Sequence, residues 1–121
     1  MMLERRENII VKKSEIFADR IIKMSKYLAK KKTGDKDMIR QIYRSGTSIG
    51  ANVAESQYAQ SKADFLTKMT IALKEANETH YWLGRLYSSG ILTDKEYDSI
   101  NSDSEEIIKL LTSITGTVKG V

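Results

Sequence analysis

Apolar and small residues recur every three or four positions in four successive segments of the chain, and no proline interrupts them. This spacing is the period of one helix face, and a proline inside a helix would break it. The most regular segment carries Phe65, Met69, Ala72, Ala76, Thr79, Leu83 and Leu86. The pattern predicts a chain made almost entirely of α-helices.

Four helices joined by short connections predict an all-α fold, an antiparallel up-and-down four-helix bundle. A length of 121 residues suits one domain, residues 1–121, with one core. The tail from Thr115 onward is expected to fray. The predicted helices cover approximately residues 8–31, 36–59, 62–88 and 94–115.

Short local patterns mark the ends of these helices. Gly34 lies in the turn after the first helix, and Gly90 ends the third. A serine or threonine followed three residues later by an acidic residue caps a helix start. The third and fourth helices open with such pairs, Ser61 with Asp64 and Thr93 with Glu96.

The stretch RSGTSIGANVAES places glycines inside the second predicted helix. Gly46, Gly50 and Ala54 recur every four residues, so they lie along one ridge of that helix. A ridge of small residues allows a neighbouring backbone to approach closely. The partner is expected to be the third helix or a neighbouring subunit. The stretch matches no phosphate-binding loop, because no strand precedes it and its glycine spacing differs.

The third helix is apolar over an unusually wide arc. Ile71 and Trp82 lie on one flank of its apolar seam, and Leu66 and Leu73 lie on the other. Such a helix is buried from several sides. We expect a subunit interface with Trp82 as an anchor, and the alternative is a central helix in a monomer.

The charge is distributed unevenly along the chain. Residues 1–60 hold 13 basic and 7 acidic residues, a net of +6, and residues 61–121 hold 7 and 9, a net of −2. This asymmetry suits binding to polyanions, contact between unlike faces of subunits, or a solvated surface. With Tyr27 as the one aromatic counted beside the basic residues of the first helix, binding would be to nucleic-acid backbone or shape. The candidate nucleic-acid-binding residues are Lys12, Lys13, Arg20, Lys23, Lys30, Lys31, Arg40 and Arg44.

The sequence favours no catalytic, metal or cofactor site. It has no cysteine and one histidine, His80, whereas a carboxylate-bridged di-metal site in a bundle needs two Glu-x-x-His motifs. Glu75 and Glu78 are expected to form ion pairs with Lys68, Lys74 or a neighbouring subunit. No apolar run approaches the roughly 18 residues of a membrane span, and the N-terminus lacks a secretory h-region. A cytoplasmic, non-enzymatic protein is therefore predicted, with no membrane partner.

Two segments, SGTSIGANVAES and SKADFLTKMTIALKEANETHYWL, resemble a bacterial family of four-helix bundles. Its members are encoded in intervening sequences of large-subunit ribosomal RNA genes, and the accessory variability determinant of diversity-generating retroelements is similar. The chain departs from the pattern at Ser56, where many relatives have glycine. The matching positions are Ser48, Ile49, Asn52, Ala54, Glu55, Ser61, Lys62, Phe65, Ala72 and Glu75.

The resemblance covers residues 8 to 115 and implies a left-handed bundle that assembles into a homopentamer without established enzymatic activity. The retroelement relative binds nucleic acid and cooperates with a reverse transcriptase, which implies RNA or a nucleoprotein as a partner. Asn52 and Glu55 are expected near helix contacts, paired with Lys62, Lys68 or backbone groups. The residues that we assign a structural role are Gly46, Ile49, Gly50, Asn52, Ala54, Glu55, Lys62, Phe65, Glu75 and Trp82.

Overall fold

The computed structural model describes the backbone of residues 2–31 and 35–119 and the side chains of residues 5–31 and 35–118. It contains four helices, as the apolar periodicity predicts. The turn predicted at Gly34 lies outside the described residues. The helices are α1 (Met2–Lys30), α2 (Lys36–Ser56), α3 (Lys62–Ser88) and α4 (Asp94–Lys119).

Each helix packs against the next one along the chain, and α4 closes the arrangement by packing against α1. The apolar stripes meet in one core, because each helix turns its stripe inward. Fully buried side chains come from all four helices, so the core extends along the bundle. The largest of them are Phe17, Ile10, Ile21, Leu28, Ile42, Ile49, Met69, Leu83, Leu86, Ile107, Leu111 and Ile114.

Both predicted capping pairs are present. The Thr93 backbone N–H donates to Glu96 Oε1 at 2.9 Å, and the Glu96 N–H donates to Thr93 Oγ1 at 3.1 Å. At α3 the Asp64 N–H donates to Ser61 Oγ at 3.0 Å, while the Asp64 carboxylate accepts from Gln60 N. These bonds satisfy N–H groups that have no partner within a helix, and they fix the chain direction after each turn.

Three helix ends differ from the prediction. α2 stops at Ser56 instead of residue 59, because the next N–H groups bond three residues back in a tighter turn. α4 does not fray at Thr115 but continues to Lys119, where Val118 is buried against the core. α1 begins at Met2 instead of residue 8, and Arg6 donates to the Ser113 hydroxyl of α4. These extra turns are held by contacts between helices.

The glycine ridge of α2 faces α1, not α3 or a neighbouring subunit as we predicted. A Cβ added at Gly46 would lie 2.8 Å from both γ-carbons of Ile21. A Cβ at Gly50 would lie 3.2 Å from the Ser14 carbonyl oxygen. The glycines therefore permit close approach of the α1 and α2 backbones, although they predict nothing about which helix approaches. Ala54 is exposed and lies beyond this contact.

Candidate nucleic-acid interface

Two of the predicted nucleic-acid-binding residues join α1 to α4. Lys13 Nζ lies 2.6 Å from Glu106 Oε1, and Arg20 Nη1 lies 2.6 Å from Asp103 Oδ2. Arg20 also donates to the Ser99 hydroxyl at 2.8 Å. Lys13 and Arg20 therefore each already face a carboxylate of their own chain.

Two more predicted residues, on α2, are also paired. Arg40 pairs with Asp37 within its own helix. Arg44 pairs with Glu78 and lies 3.2 Å from Glu75 Oε2, and its hydrogen bond with Glu78 is the main cause that raises its pKa. Within the chain the partner of these carboxylates is thus Arg44, and not Lys68 or Lys74 as we expected.

Four other predicted lysines remain exposed, three on α1 and Lys31 directly after it. Lys12, Lys23 and Lys30 make no ion pair within the part of the chain that the structure describes. Residues eleven or seven positions apart in a helix lie on nearly the same face. These three lysines are therefore in line on α1, on the side opposite the core. Asp19 is exposed near the middle of this line, and the positive charge is therefore densest toward Lys30. Lys31 lies 4.3 Å from the Tyr27 ring centre, and its pKa is raised chiefly by its hydrogen bond with Tyr27.

A groove of about 670 Å³ lies between the end of α1 and the start of α2. We call it the α1–α2 groove. It contains Lys30, Lys31 and Arg40 from the predicted set, and adds Lys26 and Lys36. No acidic side chain lines it. Its lining residues are Ser25, Lys26, Ala29, Lys30, Lys31, Lys36, Ile39, Arg40 and Tyr43.

One lining residue, Ser25, differs from most other buried hydroxyls of the bundle. Ser25 is 4% exposed, and its Oγ has no hydrogen-bond partner in the described part of the chain. Five other buried hydroxyls donate to a carbonyl three or four residues back, as Ser45 does to Gln41 and Thr79 to Glu75. Leaving a buried hydroxyl unpaired costs about 1–3 kcal/mol. Because Ser25 lines the groove, this unpaired hydroxyl lies at the base of the groove wall.

A second groove of about 590 Å³ separates α1 from α4. It contains Arg20, Lys23 and Tyr27, so the basic side of α1 that runs from Arg20 to Lys30 divides between two grooves. Glu96 lines this second groove too, and its pKa is lowered chiefly by its backbone hydrogen bond with Thr93. A carboxylate among the cations makes this groove the poorer anion site.

The family-signature side chains lie mainly between α2 and α3. Asn52 Nδ2 donates to the Ser48 carbonyl at 2.9 Å, and Glu55 Oε1 lies 3.5 Å from Lys68 Nζ, both among the partner types we predicted. Ile49 is buried, whereas Phe65 is half-buried against the core and Lys62 is exposed. The Glu55–Lys68 pair joins α2 to α3, whereas the Asn52 bond lies within α2.

The outer flank of α3 presents apolar and aromatic surface. Ile71 is 37% exposed and Tyr81 is 56% exposed. Trp82 is half-buried, forms an edge-on contact with Tyr81, and donates its Nε1–H to Glu78 at 3.3 Å. The glutamate thereby links Trp82 to Arg44 of α2, which holds the indole ring in place.

Two further observations concern metal binding and membrane-spanning helices. Across residues 5–31 and 35–118, no three His, Cys, Asp or Glu side chains are grouped to hold a metal ion. His80 is half-buried, with a buried Nδ1 that has no partner among the described residues. Within the same limits, no helix is long and apolar enough to cross a bilayer.

These features define an all-α four-helix bundle with a basic edge formed by α1 and the start of α2. A model of the 23S rRNA-intervening sequence protein family matches residues 6–113, and the chain belongs to that family. It is also similar to the crystal structure of a protein of unknown function from the S23 ribosomal protein family of Bacteroides thetaiotaomicron VPI-5482. The TM-score is 0.87 at 51% identity, over 91% of this chain and 97% of that chain. A search among curated proteins finds no significant match.

Proposed function

We propose that the chain is a non-enzymatic homo-oligomeric module that binds structured RNA, or a nucleoprotein containing it, through exposed lysines of α1 and the start of α2. The observation that carries the proposal is the division of the basic residues. Lys13, Arg20, Arg40 and Arg44 each face a carboxylate of the same chain. The other four predicted lysines, Lys12, Lys23, Lys30 and Lys31, are exposed on α1 or directly after its last residue.

The basic edge of α1 and the start of α2 suits a phosphate backbone for electrostatic reasons. Each phosphate that a lysine neutralises releases condensed counterions, so affinity increases with the number of such contacts and falls as salt rises. Lys12, Lys23 and Lys30 are in line on α1, and Lys26 and Lys36 extend the charge toward α2. Repetition of the edge in an oligomer would multiply the contacts.

The test is fluorescence anisotropy with a labelled RNA hairpin, across a series of salt concentrations, on protein whose mass is measured in the same buffer. The variant changes Lys12, Lys23 and Lys30 to glutamine. Arg20 is left intact, because its loss would break the ion pair with Asp103 and disturb the α1–α4 contact. We expect the slope of log affinity against log salt to fall by about 2 to 3, since each phosphate contact contributes about 0.9.

A matched control changes three exposed lysines of the other helices, Lys62, Lys74 and Lys109, to glutamine. It lowers the net charge equally and is expected to lower affinity far less. If both variants weaken binding equally, the effect comes from net charge and the lysines of α1 form no specific surface. If wild-type protein binds no RNA at low salt, the RNA proposal is refuted.

A second candidate function is a scaffold or adaptor for a protein partner, with no affinity for nucleic acid. The exposed flank of α3, with Ile71 and Tyr81 around Trp82, favours it, because exposed apolar and aromatic surface marks protein interfaces. The same flank is our candidate for the subunit contact, and the family resemblance favours a pentamer.

Light scattering after size exclusion tests the assembly. We expect Ile71→Asp to reduce the mass in solution while the helical circular dichroism is retained. Tyr58→Ala is the control, since Tyr58 is 86% exposed but lies in the turn before α3. A wild-type mass equal to one chain at micromolar concentration would refute self-association. Loss of RNA binding in the Ile71→Asp variant would show that assembly is needed for it.

A further inference from the structure

The α1–α2 groove combines three kinds of chemistry that a simple basic surface lacks. Five cationic side chains stand around it, and none of its lining residues is acidic. Its floor includes Ala29 and the nearly buried Ile39. The third feature is the buried hydroxyl of Ser25, which has no hydrogen-bond partner among residues 5–31 and 35–118.

These features limit the ligand. An inorganic anion makes no favourable contact with an apolar floor. An aliphatic chain would leave the Ser25 hydroxyl without a hydrogen-bond partner. A ligand that suits all three has phosphate, a planar ring and polar groups on the edge of that ring. A volume of about 670 Å³ is in the range of small-molecule sites, roughly 300–1,000 Å³. A nucleotide has this combination.

Tyr43 adds an aromatic surface at the same place. Its side chain lines the groove and is 45% exposed. Nucleic-acid bases stack on such rings, and the contact tolerates any base because every base has a π-face. Tyr43 was not predicted at this surface, because it belongs to α2, whereas Tyr27 and most of the predicted lysines belong to α1.

We propose that the α1–α2 groove holds one unpaired nucleotide of the bound RNA. The base lies over Ala29 and Ile39 beside the Tyr43 ring, and the Ser25 hydroxyl bonds to the base edge or the ribose. The surrounding lysines bind the flanking phosphates. This proposal rests on the proposed function, and it adds that the RNA must present an unstacked base, as in a loop, bulge or free end.

The experiment fills the groove without changing its charge. Ala29 is exposed and lines the groove, so Ala29→Trp blocks the floor and keeps every lysine. Ala63→Trp, at an exposed position in the first turn of α3, is the matched control. Isothermal titration calorimetry then compares a single-stranded RNA octamer, a blunt RNA duplex, adenosine monophosphate and inorganic phosphate.

We expect Ala29→Trp to weaken octamer binding about tenfold, the loss of one stacked base, and to leave duplex binding unchanged. Ala63→Trp should change neither. Ser25→Ala, which keeps the shape of the groove, should weaken the octamer about fivefold through one lost hydrogen bond. Adenosine monophosphate should compete with the octamer, and inorganic phosphate should not at equal concentration.

The outcomes separate this proposal from the function on which it rests. If Ala29→Trp binds octamer and duplex as wild type does, the groove holds no nucleotide, although RNA binding by the lysines stands. If wild type binds adenosine monophosphate but neither RNA, the groove is a site for a free nucleotide and the RNA proposals are refuted. If no probe binds, both proposals fail.

Discussion

Gly46→Ala tests the close approach of α1 and α2. The added Cβ would lie 2.8 Å from both γ-carbons of Ile21, a stiff β-branched residue that is fully buried. Overpacking of this kind costs about 1–3 kcal/mol, and replacing a helical glycine by alanine returns up to about 1 kcal/mol. We therefore expect a net loss of about 1–2 kcal/mol. Urea unfolding followed by circular dichroism measures it, at one fixed protein concentration because association changes apparent stability.

Gly84→Ala is the internal control. A Cβ there meets no atom within 4 Å, so the variant should gain about 0.5–1 kcal/mol from helix propensity alone. In a double-mutant cycle, Ile21→Ala with Gly46→Ala should cost less than the sum of the two single changes, because Ile21→Ala removes the colliding atoms. The reasoning is refuted if Gly46→Ala is as stable as wild type, or if the cycle shows no coupling.

Three further predictions concern other contacts of the bundle. Glu96→Gln should destabilise the protein at neutral pH, because a carboxylate with a lowered pKa stabilises the fold only while it is ionised. In unfolding curves measured at decreasing pH, the difference in stability between variant and wild type should vanish as pH falls through the lowered pKa of Glu96. Asp103→Asn should lower the unfolding free energy by under about 1 kcal/mol, and by less in 1 M salt, because its ion pair with Arg20 is partly exposed. Urea unfolding curves at two salt concentrations measure this difference. Val118→Ala should lower the unfolding free energy by about 1–2 kcal/mol in thermal melts, and no change would place the end of α4 outside the core.

The number of helices and their caps could be predicted because both depend on local spacing. The Thr93 and Glu96 pair needs a threonine and a glutamate three residues apart, and the hydrogen bonds follow from helix geometry. The last turns of α4 were not predicted, although Val118 follows Ile114 by four residues and so continues the apolar stripe. Whether a terminal turn frays depends on the helices packed around it, and Val118 is buried against them.

The pairing of surfaces was the weaker part of the prediction for the same reason. A ridge of small residues indicates close packing, but the identity of the neighbour is a tertiary property, and the ridge at Gly46 faces α1. The basic residues illustrate the limit at the candidate site. The sequence identifies Arg20 and Lys23 as equivalent cations, yet Arg20 meets Asp103 on α4 whereas Lys23 is exposed.

One structural role competes with RNA binding for the basic residues near the end of α1. Lys30 lies in the last turn of α1, where a cation offsets the negative end of the helix dipole and stabilises by about 0.3–1 kcal/mol. Lys12 and Lys23 lie more than one turn from that end, where the effect has decayed. A variant with both changed to glutamine should therefore keep the stability of wild type and still lose RNA affinity. If RNA affinity falls only when Lys30 is changed, the loss belongs to the end of α1 and the α1–α2 groove beside it.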